Sequence, residues 1–440
     1  MSRLGFKIHK LLSRIMCPIS LGVVTVTGMT VTGMTVTKIM MTVMMLAVMM
    51  VTLSGCDGSN KNGQLLSNEN PNTNHNFLSA NGTKADPNYT VTLPIDHQSH
   101  PDFDIEWWYL TANLESDSGD IYAFQWTLFR FANSEHNNAW HQGQSFMAHT
   151  SLHTPQEHWF EERFATGGIG NGMVGVVGMV PSNASVNVNA SINDHETPAS
   201  QGQLVLKLDD WSWTAHQADG SLFPSTLSAS VTKGDTRQVS INFELTQTGD
   251  FVLQGKQGYS VKSAQGKHAS HYYSLPFIDI QGYIKRTSPA GTDNKINLSG
   301  KAWYDHEWTS TLLDDTTEGW DWMSLHFDNG DKLMAFSMRL NDPSQKLQQN
   351  YQTGTYIRAN GDAITLLPQD ISLNILHYTD VEARTLPLHW EVKVPDHSLD
   401  IKVSARQSKA FNPSVFGYYE GDVIVEGSHT GVGFLELTGY

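Results

Sequence analysis

Residues 300–308 read Gly-Lys-Ala-Trp-Tyr-Asp-His-Glu-Trp and set two carboxylates, one imidazole and several large aromatic rings side by side. The residues leading into this stretch, 295–300, alternate polar and apolar side chains, which is typical of a half-buried strand. Continued through the stretch, this period of two sends to one face Trp303, Asp305 and Glu307, and to the other Tyr304, His306 and Trp308. Because unpaired buried carboxylates are unfavourable, the acidic face either lines a cavity or holds paired acids.

Alternating runs of the same kind dominate the chain after about residue 88. They include Gln203–Leu208, Gln238–Leu245, Leu388–Val394 and Leu399–Ser404. Gly, Asn and Asp separate the runs, and no long stretch has the 3.6-residue period of a capped amphipathic helix. The sequence therefore predicts an all-β protein of antiparallel strands arranged in sandwiches or barrels.

Two hairpin patterns in the chain resemble each other. The first joins Trp108–Leu114 to Phe124–Arg130, and the second joins Trp320–Phe327 to Met334–Arg339 through an Asn-Gly turn, a strong hairpin signal. An acid-and-tryptophan cluster precedes each hairpin, formed by Asp104, Glu106 and Trp107 in the first copy and by Asp305, Glu307 and Trp308 in the second. We predict two related barrel-like domains in tandem, at residues 91–297 and 298–440.

Charge and histidine spacing bear on the partners. The formal net charge is −16 and no Lys/Arg cluster occurs, which argues against a nucleic-acid partner. The histidines are scattered, without His-X-His or His-Glu-X-X-His spacing, so we predict no metal site. Four of them fall close together, and the favoured interpretation is loop or surface residues: His141, His149, His153 and His158.

The N-terminus has the pattern of an export signal. An uncharged apolar run at 39–53 follows Lys38 and ends in Leu53-Ser54-Gly55-Cys56, which resembles a bacterial lipobox. We predict a signal peptide at 1–55, with translation starting at Met1, Met29 or Met34, and a lipidated Cys56 followed by a flexible tether to residue 90. An uncleaved membrane anchor is the alternative. Lipid then holds the protein in the cell envelope of a Gram-negative-type bacterium, facing the periplasm, and Asp57 favours the inner over the outer membrane.

Two clusters could carry chemistry or only structure. Glu106 could face a cavity walled by Trp107 and Tyr109 or by Trp108, or it could close the end of a barrel. Asp305, between aromatic walls, could have a raised pKa and donate a proton, or it could be hydrogen-bonded to backbone at a domain junction. Serine hydrolysis is disfavoured because Ser260 and Ser274 lie outside any Gly-X-Ser-X-Gly elbow.

Five motifs together resemble the AttH/CrtC family of lipocalin-like secreted proteins, which includes the carotenoid 1,2-hydratases and proteins named predicted secreted hydrolases. The motifs are Asp104–Tyr109, Trp303–Trp308, Gly319–Trp322, Tyr418–Gly421 and Glu436–Tyr440. The resemblance spans roughly residues 93–440 and implies two tandem lipocalin-like antiparallel β-barrel domains.

The resemblance also implies a reaction. Asp305 would protonate a C=C bond without a cofactor, with His306 or Glu307 orienting the water. The apolar substrate, an isoprenoid or another lipid, would lie among Trp303, Tyr304, Trp308, Glu106, Trp107, Trp108, Trp320 and Trp322. If the protein is an enzyme, it is a hydro-lyase of carotenoid 1,2-hydratase type or a hydrolase; the alternative is a catalytically silent lipid carrier. A component of an export system is a further expected partner.

Overall fold

The computed structural model describes residues 82–132, 143–167, 172–177, 202–234, 237–287, 293–311, 317–340 and 350–440. The predicted signal peptide, Cys56, Asp57, His141 and the predicted tether up to residue 81 lie outside these ranges. In the described part, regular structure consists of β-strands and two short 3-10 turns, Ile95–His97 and Pro395–His397. None of the helical segments described is long and apolar enough to span a membrane.

The strands form two antiparallel sheets within one compact unit. The first sheet contains β1 (Ile105–Ser116), β2 (Ile121–Ala132), β3 (Gln144–His153), β4 (His158–Thr166), β5 (Gly172–Val177), β6 (Gln203–Leu208), β7 (Trp211–Ala215), β8 (Ser225–Lys233), β9 (Arg237–Gln247), β10 (Val252–Leu253), β11 (Tyr259–Val261), β12 (Ala269–Thr287) and β13 (Asp293–Thr309). Its spatial order is β4-β3-β2-β1-β13-β12-β9-β8-β7-β6-β5, with β10 and β11 paired to β12. The sheet curls so that β3 and β4 contact β5, β6 and β8.

The second sheet has the same plan with fewer strands. It contains β14 (Thr317–Phe327), β15 (Lys332–Leu340), β16 (Tyr351–Ile357), β17 (Ala363–Leu366), β18 (Ser372–Val381), β19 (Arg384–Val394), β20 (Leu399–Ala405), β21 (Phe411–Asn412), β22 (Tyr418–Gly427) and β23 (Gly431–Thr438). Its order is β17-β16-β15-β14-β23-β22-β20-β19-β18, with β21 paired to β22. The two curled sheets confirm the predicted all-β class and the two-domain lipocalin-like fold.

Alternation of side chains builds a separate core inside each sheet. Along β9, Val239, Ile241, Phe243 and Leu245 are buried while the residues between them are partly exposed. These side chains and others from around the sheet, including Trp126 and Trp213, form one contiguous apolar cluster that fills the first barrel. A second cluster fills the curl of the second sheet.

The predicted repeat is present, but its boundary differs from the sequence-based one. Both predicted hairpins form, as β1–β2 and β14–β15. The boundary at 297/298 falls inside β13, which lies wholly in the first sheet between β1 and β12. The change of sheet comes after Thr309, because β13 pairs with β1 from Leu298 through Thr309 and with β12 over most of its length.

A third apolar cluster joins the two sheets. The first sheet contributes Tyr109, Tyr272 and Trp303, and the second contributes Trp322, Phe336, Met338 and Phe434, among others. Aromatic side chains therefore cover the outer face of β13 and its neighbours, and this face carries the acids of residues 300–308.

Candidate functional site

Strand β13 presents its motif to two different environments. Across the ladder, Asp305 lies opposite Tyr109 on β1 and Ser274 on β12, whereas His306 lies opposite Trp108 and Tyr273. Residues opposite each other in an antiparallel pair share a face. The odd-numbered side chains of the motif therefore point to the second sheet, and the even-numbered ones point into the first barrel, as the period of two predicts.

Asp305 lies beside the contact between the sheets, among Trp303 and Tyr272, and is 3% exposed. Tyr272 Oη donates to its Oδ2 at 2.9 Å, Trp303 Nε1 donates to its Oδ1 at 2.8 Å, and Ser274 Oγ also donates to Oδ1. Burial raises the pKa of this carboxyl to about 7, although the three donors oppose the shift. At neutral pH the group is therefore poised to give or take a proton.

Glu307, two residues further along the same face, forms a buried ion pair. Its Oε1 lies 3.0 Å from Nζ of Lys262, which precedes β12. The ammonium also lies 4.6 Å from the ring centroid of Tyr272 and 4.7 Å from that of Phe336, within cation–π range. Lys262 thus places one cation between the two sheets, against aromatic rings from both.

The second sheet adds two more carboxyls to this contact. Tyr109 Oη donates to Glu420 Oε1 at 2.8 Å, and Trp320 Nε1 donates to Glu436. Glu420 and Glu436 lie opposite each other on β22 and β23. Burial raises the pKa of Glu436 to about 7, and burial together with the neighbouring Glu436 raises the pKa of Glu420 well above its usual range. We call Asp305, Glu307, Lys262, Glu420 and Glu436 the inter-sheet cluster.

A different polar group lies on the inner face of β13. Glu106 is fully buried; its Oε1 is 2.8 Å from His306 Nε2 and 2.6 Å from His100 Nδ1, and its Oε2 accepts from Arg130 Nε at 2.8 Å. Burial alone would raise the pKa of Glu106, but His100, His306 and Arg130 hold it well below its usual range. Burial alone would lower the pKa of His100, but Glu106 and Asp96 raise it to about 9. Burial lowers the pKa of His306. We call His100, Glu106, Arg130 and His306 the barrel cluster.

A sequence profile described as AttH-like matches residues 84–440. The chain belongs to the AttH-like family. A crystal structure assigned as AttH from Nitrosomonas europaea is 27% identical and superposes with a TM-score of 0.64 over 81% of this chain and 99% of its own. Kievitone hydratase from Nectria haematococca is 17% identical, with a TM-score of 0.51 over 81% of this chain and 96% of its own, and shares the fold. A search of curated protein sequences gives no significant match.

In this AttH-like protein the predicted site residues divide between the inter-sheet contact and the interior of the first barrel. The inter-sheet side holds Asp305, Glu307, Trp303, Trp107, Trp320 and Trp322. The barrel side holds His306, Tyr304, Trp308, Glu106 and Trp108. His306 therefore does not share a face with Asp305, and of the two predicted water-orienting groups Glu307 is the one beside the acid. Glu106 lies on the same face of β1 as Trp108, which is one of the two arrangements that the sequence left open.

The sequence predicts that Glu106 of the first repeat corresponds to Glu307 of the second, but the structure matches it to a different acid. In the first sheet Glu106 on β1 pairs with Arg130 on β2, and in the second Asp321 on β14 pairs with Arg339 on β15. Asp321 is thus the counterpart of Glu106, because each acid lies in the first half of the first strand of its hairpin and pairs with an arginine near the end of the second strand. Asp305 and Glu307 belong to a neighbouring strand of the first sheet.

Sequence reasoning also missed or misplaced several groups. Tyr272 and Ser274 were not expected beside Asp305, nor Lys262 beside Glu307, and only the β-pairing of distant segments brings them there. The interpretation of the clustered histidines as loop or surface residues is wrong for His149 and His153, which lie buried on β3. His149 Nε2 is 3.0 Å from Glu162 Oε1 and its Nδ1 is 2.8 Å from Tyr418 Oη.

Proposed function

We propose that this protein is an enzyme that adds water to an apolar substrate, or hydrolyses one, between its two sheets, with Asp305 as the general acid. The observation that carries the proposal is the carboxyl of Asp305, buried among Tyr272, Trp303 and Trp322 with a pKa of about 7. A general acid works best when its pKa lies near the working pH. Kievitone hydratase, which shares the fold, is consistent with this chemistry.

The hydration proceeds as a balanced proton transfer. Asp305 gives its proton to one carbon of a C=C bond, and the other carbon becomes a carbocation that the faces of Trp303 and Trp322 stabilise. Water attacks the cation, and its surplus proton passes to Glu307, which lies two residues from Asp305 on the same face. Return of that proton to Asp305 restores the enzyme. The net change is one water added across one double bond, with no cofactor.

The apolar class of the substrate follows from the surroundings of the acid. Aromatic and methionine side chains from both sheets line the contact around Asp305. The first barrel is filled by its own core, including Trp108, Trp126 and Trp213, all fully buried. This packing disfavours a carrier that would hold a lipid inside the barrel. We place the isoprenoid or lipid between the sheets because Asp305 lies there, and because the side chains of this contact are also buried, the substrate must displace some of them.

The activity test uses the full chain in detergent with a panel of acyclic carotenoids, other isoprenoids and lipid esters. Asp305→Asn keeps the shape of the side chain but cannot donate a carboxyl proton, so we expect a loss of about 10²- to 10⁴-fold in rate. Asp104→Asn is a matched control, because Asp104 is a buried aspartate that precedes β1 and forms no contact with Asp305 among the described hydrogen bonds and ion pairs. Equal product from wild type and Asp305→Asn would refute the role of Asp305.

Carriage of a lipid is the competing outcome. Native mass spectrometry of the gently purified full chain distinguishes it from catalysis. A co-purified isoprenoid that is bound in the native spectrum and released on denaturation, leaving the protein itself unchanged in mass, would favour the carrier if no panel member is turned over.

We also propose that the protein is a lipid-anchored component of the bacterial envelope that faces the periplasm, where an export-system component is a candidate partner. The proposal rests on Leu53-Ser54-Gly55-Cys56 and the apolar run before it. Cys56→Ser removes the acylated thiol. We expect it to shift the protein from the membrane to the soluble fraction of the cell, with loss of the lipid mass. Unchanged fractionation would contradict the lipid anchor.

A further inference from the structure

The barrel cluster brings three metal-ligating atoms together from distant parts of the chain. His100 Nδ1, Glu106 Oε1 and His306 Nε2 all lie within 4.8 Å of one another. His100 comes from the loop before β1, Glu106 from β1 and His306 from β13. The reaction proposed for Asp305 uses none of these side chains, because they lie on the opposite face of β13.

Each of the three side chains is also held at its other polar atom. His100 Nε2 lies 3.3 Å from Asp96 Oδ1, and His306 Nδ1 lies 2.9 Å from Tyr273 Oη. Glu106 Oε2 accepts from Arg130 Nε and from the backbone N–H of His100, both at 2.8 Å. A partner on the outer nitrogen of each imidazole, and on the outer oxygen of the carboxylate, is the arrangement that orients ligands around a metal ion.

One arrangement of the protons around Tyr273 leaves two hydrogen-bond acceptors facing each other. Its hydroxyl donates to the carbonyl of Asp96 at 3.1 Å and also lies 2.7 Å from His97 Nδ1 and 2.9 Å from His306 Nδ1. A hydroxyl has one proton, so when the carbonyl takes it both imidazoles must donate through Nδ1. His306 Nε2 is then a lone pair, 2.8 Å from the carboxylate oxygen of Glu106. A cation between the two atoms, either a proton on Nε2 or a metal ion, resolves this contact.

We propose that His100, Glu106 and His306 bind one divalent transition-metal ion of the zinc class, with water as the fourth ligand. Two imidazoles and one carboxylate form a ligand set that zinc takes in proteins. Tetrahedral ligands at about 2.0–2.1 Å from zinc lie roughly 3.3 Å apart, so the two imidazole nitrogens, now 2.6 and 2.8 Å from Glu106 Oε1, move away from that oxygen by about 0.5–0.7 Å on binding. His100 can supply this movement because it lies in a loop with 15% of its side chain exposed. The ion fixes this loop to β1 and β13.

The test measures metal binding by the full chain, not its activity. After chelation and removal of the chelator, isothermal titration with Zn²⁺ should give one ion per chain, and Co²⁺ should give the visible absorption of a four-coordinate site. His306→Gln should abolish both signals. Asp96→Asn and Tyr273→Phe leave all three ligands in place and should weaken binding about 10- to 100-fold.

A surface histidine pair provides the control. His377 and His389 lie opposite each other on β18 and β19, so the double change His377→Gln with His389→Gln removes a site for adventitious zinc without touching the barrel cluster. We expect this variant to bind like wild type. Absence of Zn²⁺ binding to wild type, or binding unchanged by His306→Gln, Asp96→Asn and Tyr273→Phe, would overturn the proposal. If His306→Gln fails to fold by circular dichroism, the other two variants decide.

Discussion

Asp305 should make the protein less stable as the pH rises through the neutral range. Its pKa is raised from 3.8 to about 7 in the folded state. Between these values the unfolded chain binds fewer protons than the folded one, so the free energy of unfolding falls with increasing pH. At 1.36 kcal/mol per pKa unit, the loss due to this carboxyl is about 4 kcal/mol between pH 4 and pH 7.5.

The variant Asp305→Asn isolates this contribution. The amide is uncharged at every pH, its oxygen can accept from Ser274 and Trp303, and its NH₂ can donate to the hydroxyl of Tyr272. The difference in unfolding free energy between the variant and wild type should therefore shift by about 4 kcal/mol in favour of the variant between pH 4 and pH 7.5. Urea denaturation followed by tryptophan fluorescence at a series of pH values measures this difference.

Other buried acids titrate in the same range, but they are common to both proteins and cancel in the comparison when they do not couple to Asp305. Asp117→Asn, a change at an exposed position near β1, should give a curve parallel to wild type. Parallel curves for Asp305→Asn and wild type would show that Asp305 is ionised in the folded state across this range. That result would also remove the basis for its role as a general acid.

Three further predictions concern the buried charges. Lys262→Met leaves Glu307 without its cation and should destabilise the fold by about 3–5 kcal/mol, measured by urea denaturation at pH 7, whereas the double change with Glu307→Leu should recover most of the loss. Glu436→Gln removes a carboxyl whose pKa is raised to about 7, so it should raise the melting temperature relative to wild type at pH 8 but not at pH 5; an equal shift at both values would contradict the assignment. Arg130→Met should destabilise by about 3–5 kcal/mol because Glu106 is buried, and a change below about 1 kcal/mol would mean that the histidines alone neutralise Glu106.

The fold was largely predictable because its local signals agree with one another. The Asn-Gly turn and the alternation along Trp320–Arg339 specify a hairpin without any knowledge of the rest of the chain. The two faces of β13 also follow from a period of two alone. The boundary between the sheets could not be predicted in this way, because the alternation of β13 does not indicate whether the strand pairs with β1 or with β14.

The site was predictable only along one strand. Asp305 and Glu307 could be placed on one face together, but their partners come from β12, the segment before it and the second sheet. His100 and Glu106 lie about two hundred residues from His306, so no local spacing indicates their contact. Family motifs did contain Glu420 and Glu436, yet a motif does not show that two of its acids lie opposite each other.

The two clusters are linked through the register of β13. A slip of one residue would send Asp305 into the barrel core and His306 to the second sheet. His306 opposes such a slip because its ring contacts Glu106 on β1 and Tyr273 on β12, the two strands that flank β13. The adjacent residue, Asp305, is thereby held between Tyr109 and Ser274. The barrel cluster therefore positions the acid of the inter-sheet cluster even though the two lie on opposite faces of the strand.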